Sequence, residues 1–417
     1  MRLSVPEPAL ADAFEAAATG WGPLTRSRER LAFPLPGRFV RPGGYFRWFF
    51  YWDSCFMLPG LLVSGERALA REIVDNFVVS IEEFGFVPNY NGPKGVCASR
   101  SQPPFLTWAI GEVWPTVSDS AWLERAVSAA TTEYERYWTA EPHRTELGLS
   151  RYIDLGGEGC ETVPDSPHHR AIAESGWDNT TRFGDDATRV APVDLNAQLY
   201  RYETDLAGFL RILDRPDEAA AWEARARQRR ELIDRWLWDD RLGIYRDLDL
   251  ETLHPTEGVP LTLASYVPLW AGTASTEQAR RSIEHLHRFE ADHGVAAGEA
   301  GRDDVDAHDW PTGWAYSQWY VCDGLARYGH RAEAVRIALK WLRRIADVHT
   351  KTGRFFERYN VVDADGPTPG RYPPQRGFGW TNSIFLALVA RILFDRDGRP
   401  SPELPASWKD ARLGLPD

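Results

Sequence analysis

Apolar residues recur at steps of three and four along much of the chain. Over residues 193–213 they fall at Leu195, Leu199, Tyr202, Leu206, Phe209 and Leu213, which places them on one face of a helix. Residues 64–84 repeat the pattern with Leu69, Ile73, Phe77, Ile81 and Phe84, and stop at Gly85, a residue suited to a helix C-cap. The spacing also predicts helices over 218–238 and 331–347, and over 102–114, 119–139, 276–289, 312–328 and 382–395. Strand-like alternation is confined to short runs near 244–246 and 355–359. Three looser stretches, 156–169, 294–311 and 363–377, are rich in Gly, Pro, Asp or Arg and lie between helices. They predict long functional loops on one scaffold, not domain boundaries. The chain is therefore expected to be all-α, a single unit over 1–417, with a loose Pro-rich tail from about 398. Helix pairs closed into a toroid fit this pattern, and so does an open α-solenoid, which periodicity alone does not separate.

Composition narrows the function. The 417 residues carry 48 Lys and Arg against 60 Asp and Glu, a net charge of −12. That balance argues against nucleic-acid binding, which needs clustered cations, and against an anionic membrane surface. The four cysteines, Cys55, Cys97, Cys160 and Cys322, are widely spaced. Their spacing suggests neither a zinc site nor a disulfide framework. No apolar h-region opens the chain and no run of 18 apolar residues occurs, so the expectation is a cytoplasmic, reduced protein without a membrane span. The 18 Trp residues, against 2 Met, are unusual. Indole rings fill cores and also lie against ring-shaped ligands.

Four segments combine such rings with polar groups. PGGYFRWFFYWDS at 42–54 sets Arg47, Trp52 and Asp53 behind a Gly-Gly turn: a sugar cup, or a buried strand or helix start with Asp53 as its cap. FVPNYNGPKGVCASRSQPPF at 86–105 displays Asn89, Arg100 and Gln102, whose directional hydrogen bonds suit a neutral polyol, or serve the turns themselves. ESGWDNTTRF at 174–183 places Asp178 after Trp177; desolvation by an indole raises a carboxyl pKa, as a general acid requires. Its alternatives are a loop or cap role, with Arg182 as a partner. FFERYNVVDADGPTPGRYPPQRGFGWTN at 355–382 sets Glu357 beneath a flap, or pairs it with Arg354 or Arg358. Two clusters are set aside. Asp303, Asp304 and Asp306 with His308 and Asp309 are read as a solvated charge run, and adjacent His168 and His169 do not share a helix face for zinc. No phosphate loop, dinucleotide fingerprint or nucleophile elbow is present, so neither a cofactor nor a metal is expected.

Together these segments resemble the trehalase family of glycoside hydrolases. The stretches at 42–54 and 174–183 are similar to its two signatures. GFVPNYNG with SRSQPPF, PVDLNA, DWPTGW, FERYN and GFGWTN follow in the family's order over about residues 40–395. The resemblance implies an (α/α)6 barrel and metal-free, inverting hydrolysis of a small soluble α-glucoside, with Asp178 as general acid and Glu357 as general base. It places Trp52, Asp53, Asn89, Arg100, Gln102 and Arg151 at sugar-binding positions. Tyr45, Phe46, Arg47, Gly176, Trp177, Arg371 and Trp380 complete the candidate set. Tyr45 stands where the family usually has Arg, and Arg371 where its flap usually has Glu. A guanidinium in place of a carboxylate reverses charge and hydrogen-bond sense. Trehalose is the expected substrate; a glucosyl- or mannosylglycerate with an anionic aglycone is the alternative. A non-catalytic sugar-binding protein, a phosphorylase and, from the Asp303–Asp306 run alone, a terpene cyclase belong to other classes. The expected partner is a small carbohydrate.

Overall fold

The structure is a computed structural model that describes residues 2–27, 31–154, 156–157, 160, 166–300, 308–365, 368, 370 and 372–415. Its α-helices are α1 (Pro8–Thr19), α2 (Tyr51–Val63), α3 (Arg67–Phe84), α4 (Leu106–Val117), α5 (Ser120–Glu133), α6 (Pro167–Ser175) and α7 (Val193–Ile212). They continue with α8 (Pro216–Trp236), α9 (Val267–Ala271), α10 (Thr276–Ile283), α11 (Ala315–Arg327), α12 (Arg331–Thr352) and α13 (Gly379–Leu388). Helices α2, α4, α7, α9, α11 and α13 neighbour one another in that order, and α13 returns to α2, so the ring closes. Helices α1, α3, α5, α8, α10 and α12 alternate with them along the chain, and most pack outside the ring. This is the (α/α)6 barrel, and the closure rules out the solenoid.

The two layers differ in sequence because they differ in exposure. In α2 every residue but Leu62 is buried, and in α13 every residue is buried. A helix apolar all round has no solvent face, and the ring interior offers none. The outer helix α12 instead buries one stripe, with Val335, Ile337, Leu339, Leu342 and Ile345 inward. Helix α3 does the same and ends at Gly85 in the left-handed conformation, φ +81°, as the sequence predicts. Among the described residues, no helix is long and apolar enough to cross a membrane.

Three expectations are corrected. The tail from 398 is not loose: Trp408 is buried and Arg412–Gly414 pairs antiparallel with Arg2–Ser4. Trp52 and Asp53, read as a cup on an aromatic run or as a helix start capped by Asp53, lie inside inner helix α2, whose cap is Phe50. The helix's all-round apolarity hides the period of 3.6 that sequence reading relies on. Cys97 and Cys160 are joined in a disulfide although 63 residues separate them, while Cys55 and Cys322 are free and buried. Chain distance says nothing about a pair that folding brings together.

Short two-stranded pairs shape the mouth of the barrel. Phe49–Phe50 pairs with Tyr90–Asn91, which leads into α2 beside Asn89. Thr312–Trp314 pairs with Arg358–Asn360, with Trp314 opposite Arg358. The two glycine-rich turns meet there: Gly44 N–H donates to Arg376 O (3.0 Å) and Gly379 N–H to Pro42 O (2.6 Å). Gly43, at φ +148°, lies so close that a Cβ would come within 2.5 Å of Gly377 O. Only glycine serves at such a position.

Candidate active site

The inner helices present their N-terminal ends at this mouth. Trp52 and Asp53 lie in the first turn of α2, Gln102 precedes α4, Trp314 caps α11 and Trp380 lies in the first turn of α13. Between them is a cavity of about 120 Å³. Its polar lining residues are Asp53, Asn89, Arg100, Gln102, Asp178, His308 and Glu357. Its aromatic lining residues are Phe46, Phe50, Trp52, Trp314, Tyr372, Phe378 and Trp380. The volume is below the roughly 300–1,000 Å³ of drug-sized sites and suits a compact ligand. Ring faces for C–H surface together with fixed hydrogen-bonding groups are the chemistry of sugar recognition. A larger groove of about 770 Å³ between α3 and α5 is lined by Glu82 and Arg125, which pair with each other at 2.7 Å. Its carboxyls, Glu82, Glu83 and Glu124, are all exposed, whereas Asp53 and Glu357 are buried.

Glu357 is 2% exposed and sits just before the Arg358–Asn360 strand. Its carboxylate accepts from Arg358 Nη1 (2.5 Å), Tyr372 Oη (2.9 Å) and the Gln375 N–H (3.4 Å). Burial pushes its pKa up to about 7; Arg358 and the hydrogen bonds from Tyr372 and Gln375 oppose that rise, and the nearby Asp178 adds to it. The sequence offered pairing with Arg358 and a place in the site as alternatives, and the structure has both. Asp53 is also buried, and its pKa is pushed up to about 8 by desolvation and then by Glu357, against a hydrogen bond from Gln102. It lies inside the first turn of α2, not at the cap, which is Phe50.

Asp178 follows the C-terminal Gly176 of α6, and its side chain is exposed toward the cavity. The indole of Trp177 does not enclose it. Trp177 is fully buried, with its ring 5.5 Å from His308 and under the Arg182 guanidinium at 5.0 Å. It therefore supports the site from behind and is not among the cavity residues, contrary to the sequence assignment. Gly176 does line the cavity, at φ +71°, where a Cβ would come within 2.5 Å of the Trp52 ring. Arg182 binds Asp194 and Asp247 rather than serving Asp178 as the sequence suggested.

Of the remaining sequence candidates, Phe46, Trp52, Asn89, Arg100, Gln102 and Trp380 line the cavity. Gln102 Oε1 accepts the Trp52 N–H at 3.1 Å, Arg100 pairs with buried Asp154 at 2.9 Å, and Asn89 Nδ2 donates to Ser101 O at 2.9 Å. Trp380 Nε1 donates to Glu357 O at 3.0 Å and so fixes the carboxylate's backbone. Tyr45 stands at the rim, 51% exposed, its ring 5.6 Å from that of Tyr372. Two candidates fall outside. Arg47 is exposed and absent from the lining. Arg151 is also absent; its guanidinium donates to Pro142 O (3.1 Å) and Thr188 O (3.1 Å), tying loops together. Arg47 lies in an aromatic-rich motif and Arg151 was placed by the family resemblance, but neither signal fixes which way a side chain points. Arg371 and the run Asp303, Asp304 and Asp306 lie outside the described residues.

Sequence reasoning missed His308, Trp314 and Tyr372 as cavity residues. His308 and Asp309 were read as solvated charge, yet each is 3% exposed. Their neighbour DWPTGW was the available signal, since a Trp-Pro-rich turn entering an inner helix leaves little room for solvated side chains. No group of His, Cys, Asp and Glu among the described residues could hold a metal ion.

The comparisons with known proteins agree with this geometry. The family model described as Trehalase matches residues 23–168 and 158–392. The periplasmic trehalase of Xanthomonas oryzae pv. oryzae is 33% identical over 416 residues, covering 88% of this chain and 71% of that protein. The neutral trehalase of Saccharomyces cerevisiae has a similar structure, with a TM-score of 0.74 and 30% identity over 84% of this chain and 73% of the other. A mannosylglycerate hydrolase of Thermus thermophilus, 18% identical with a TM-score of 0.67 over 91% of this chain and all of the other, shares the fold. A closed ring of six inner helices, a small carboxyl-bearing cavity at its mouth and relatives over nearly the whole length agree: the chain belongs to the trehalase family of glycoside hydrolases.

Proposed function

We propose that this enzyme hydrolyses trehalose to two glucose molecules with inversion at the attacked carbon, and that residues 1–417 act as one catalytic unit. The observation that carries the reading is that Asp178 and Glu357, 179 residues apart in the numbering, face one small cavity walled by aromatic rings. Asp178 gives its proton to the bridging oxygen as the C1–O bond breaks toward that oxygen. Glu357 takes a proton from water as the water oxygen bonds to C1 from the opposite face. Asp53, Asn89, Arg100 and Gln102 bind the hydroxyls, and Trp52 and Trp380 cover the ring. Inverting hydrolysis sets the two carboxyls roughly 6.5–9.5 Å apart to admit the water. Proton NMR of the first products tests the reading. Inversion releases one β- and one α-glucose from each trehalose before mutarotation; only α-glucose, or no glucose, overturns it. A mannosylglycerate hydrolase shares only the fold, and release from a glycosylglycerate but not from trehalose would favour that substrate.

The disulfide bears on location. Bonds of this kind persist in oxidising compartments, so an oxidising setting suits this chain better than the reduced cytoplasm expected from cysteine spacing. One relative is a periplasmic trehalase. Thiol titration in denaturant should find two reactive cysteines, Cys55 and Cys322, before reduction, and all four after it. Four thiols without reductant would return the chain to a reduced compartment.

A further inference from the structure

We propose that His308 and Asp309 are positioning residues for the general acid, clamping the turn that carries Asp178 so that proton delivery to the leaving group depends on them. The proposal rests on the reading of Asp178 as the acid.

The turn needs such a clamp. Asp178 has left-handed backbone within two residues on either side, Gly176 at φ +71° and Asn179 at φ +62°. A non-glycine residue in that region persists where its surroundings over-determine it. No regular helix holds residues 178–181. His308 and Asp309 supply hydrogen bonds along the whole turn. The His308 ring Nδ1 lies 2.8 Å from Asp178 O, and the His308 backbone N–H donates to Asn179 O at 3.3 Å. Asp309 accepts from Thr180 Oγ1 (2.9 Å), from the Thr181 N–H (2.9 Å) and from Thr181 Oγ1 (3.0 Å). These bonds fix the backbone on which the exposed Asp178 carboxyl is mounted and leave that carboxyl facing the cavity.

The clamp is itself rigid. A carbonyl only accepts, so Nδ1 of His308 carries the hydrogen, and Nε2 accepts from the Tyr316 hydroxyl. Burial pushes the His308 pKa down to about 3, so the ring stays neutral and keeps this arrangement. It stacks on Trp314, centroids 4.3 Å apart at 15°. Trp314 donates from Nε1 to His308 O at 2.9 Å and lies opposite Arg358 in the strand pair, one residue from Glu357. One continuous frame thus runs from the acid's turn through His308 and Trp314 to the base's strand. His308 borders the cavity, yet its ring nitrogens serve Asp178 and Tyr316. That is the arrangement of a support rather than of a sugar ligand.

Two substrates separate support of the acid from general scaffolding. Trehalose needs its leaving oxygen protonated. In α-glucosyl fluoride the C1–F bond breaks with its electron pair leaving on fluoride, which needs no proton, while Glu357 still accepts the proton of the attacking water. His308→Phe keeps the aromatic stack and removes the ring's hydrogen bonds; Asp309→Asn keeps the shape and removes the charge. A misplaced reacting group costs up to about 10²-fold, so each variant should lose about 10- to 100-fold in kcat on trehalose with KM changed by less than about threefold. The loss on the fluoride should be at least about tenfold smaller than that on trehalose. A folded variant that loses both substrates by the same factor, or neither, overturns the clamp. If His308→Phe does not fold, Asp309→Asn alone decides. A wild-type enzyme that cleaves the fluoride but not trehalose removes the proposed substrate and, with it, the acid's role. One that cleaves neither sinks the hydrolase reading itself.

Discussion

Replacing Glu357 by Gln should abolish nearly all turnover of both trehalose and α-glucosyl fluoride, whereas Asp178→Asn should abolish only the first. General acid and base groups each contribute about 10²–10⁴-fold, so the trehalose losses should be at least of that size. The asymmetry follows from the chemistry each group supplies. Every substrate must be attacked by water, and Glu357 is the carboxylate buried at the cavity with Tyr372 and Arg358 to hold it. Only a substrate with a poor leaving group needs the proton from Asp178. The pH profile adds a second readout. Glu357 works as a base only when ionised, and its pKa stands at about 7, so kcat/KM should fall as pH drops through that value. Arg358 is the strongest influence holding that pKa down. Arg358→Met removes the cation, raises the carboxyl pKa further and should move the acidic limb to higher pH. A limb that stays in place, or near-wild-type turnover in either carboxyl variant, would remove the residue concerned from its role.

How far the sequence reaches depends on what kind of physics each feature obeys. Outer helices such as α3 and α12 are legible because one face meets water and the other does not, which prints a period of 3.6 on the chain. Inner helix α2 is illegible by the same rule, since Trp52 to Leu61 is buried on every side. The inner helix α9 is too short for a period to show. Asp178 and Glu357 were found because each lies in a motif of uncommon residues, but the motif reports position along the chain and not direction in space. Trp177 and Arg47 share that prominence and are absent from the cavity lining. His308 is the converse case. The residues just before it are charged, which suggests solvent, yet Trp314 and Tyr316 from the following strand and helix and Trp177 from a distant segment enclose it. The disulfide of Cys97 with Cys160 likewise depends on a closure that neither flanking segment encodes locally.

The largest loss of stability should come from Arg182→Met, a substitution that touches no cavity residue directly. Arg182 is 1% exposed and donates from Nη2 to Asp194 (2.6 Å) and from Nε and Nη2 to Asp247 (both 2.9 Å). Burial alone would lower its pKa, but the two carboxylates outweigh it and hold the guanidinium well above its ordinary value. The cation also lies over the rings of Trp177 and Phe183, at 5.0 and 4.5 Å. Methionine fills much of the stem's space but leaves both carboxylates buried without their cation. Removing one partner of a buried ion pair costs about 3–5 kcal/mol, far more than the pair contributes over an apolar replacement. The urea midpoint should fall accordingly with the slope unchanged. Arg182→Lys keeps the charge but not the planar fork, and should lose less. Asp247 Oδ1 also accepts the Val193 N–H at 2.8 Å, so the cluster pins the start of α7. It also anchors the chain four residues beyond Asp178. A loss below about 1 kcal/mol would place Arg182 in the range of exposed pairs. In that case His308 and Asp309 would hold the acid's turn without help from the Arg182 cluster.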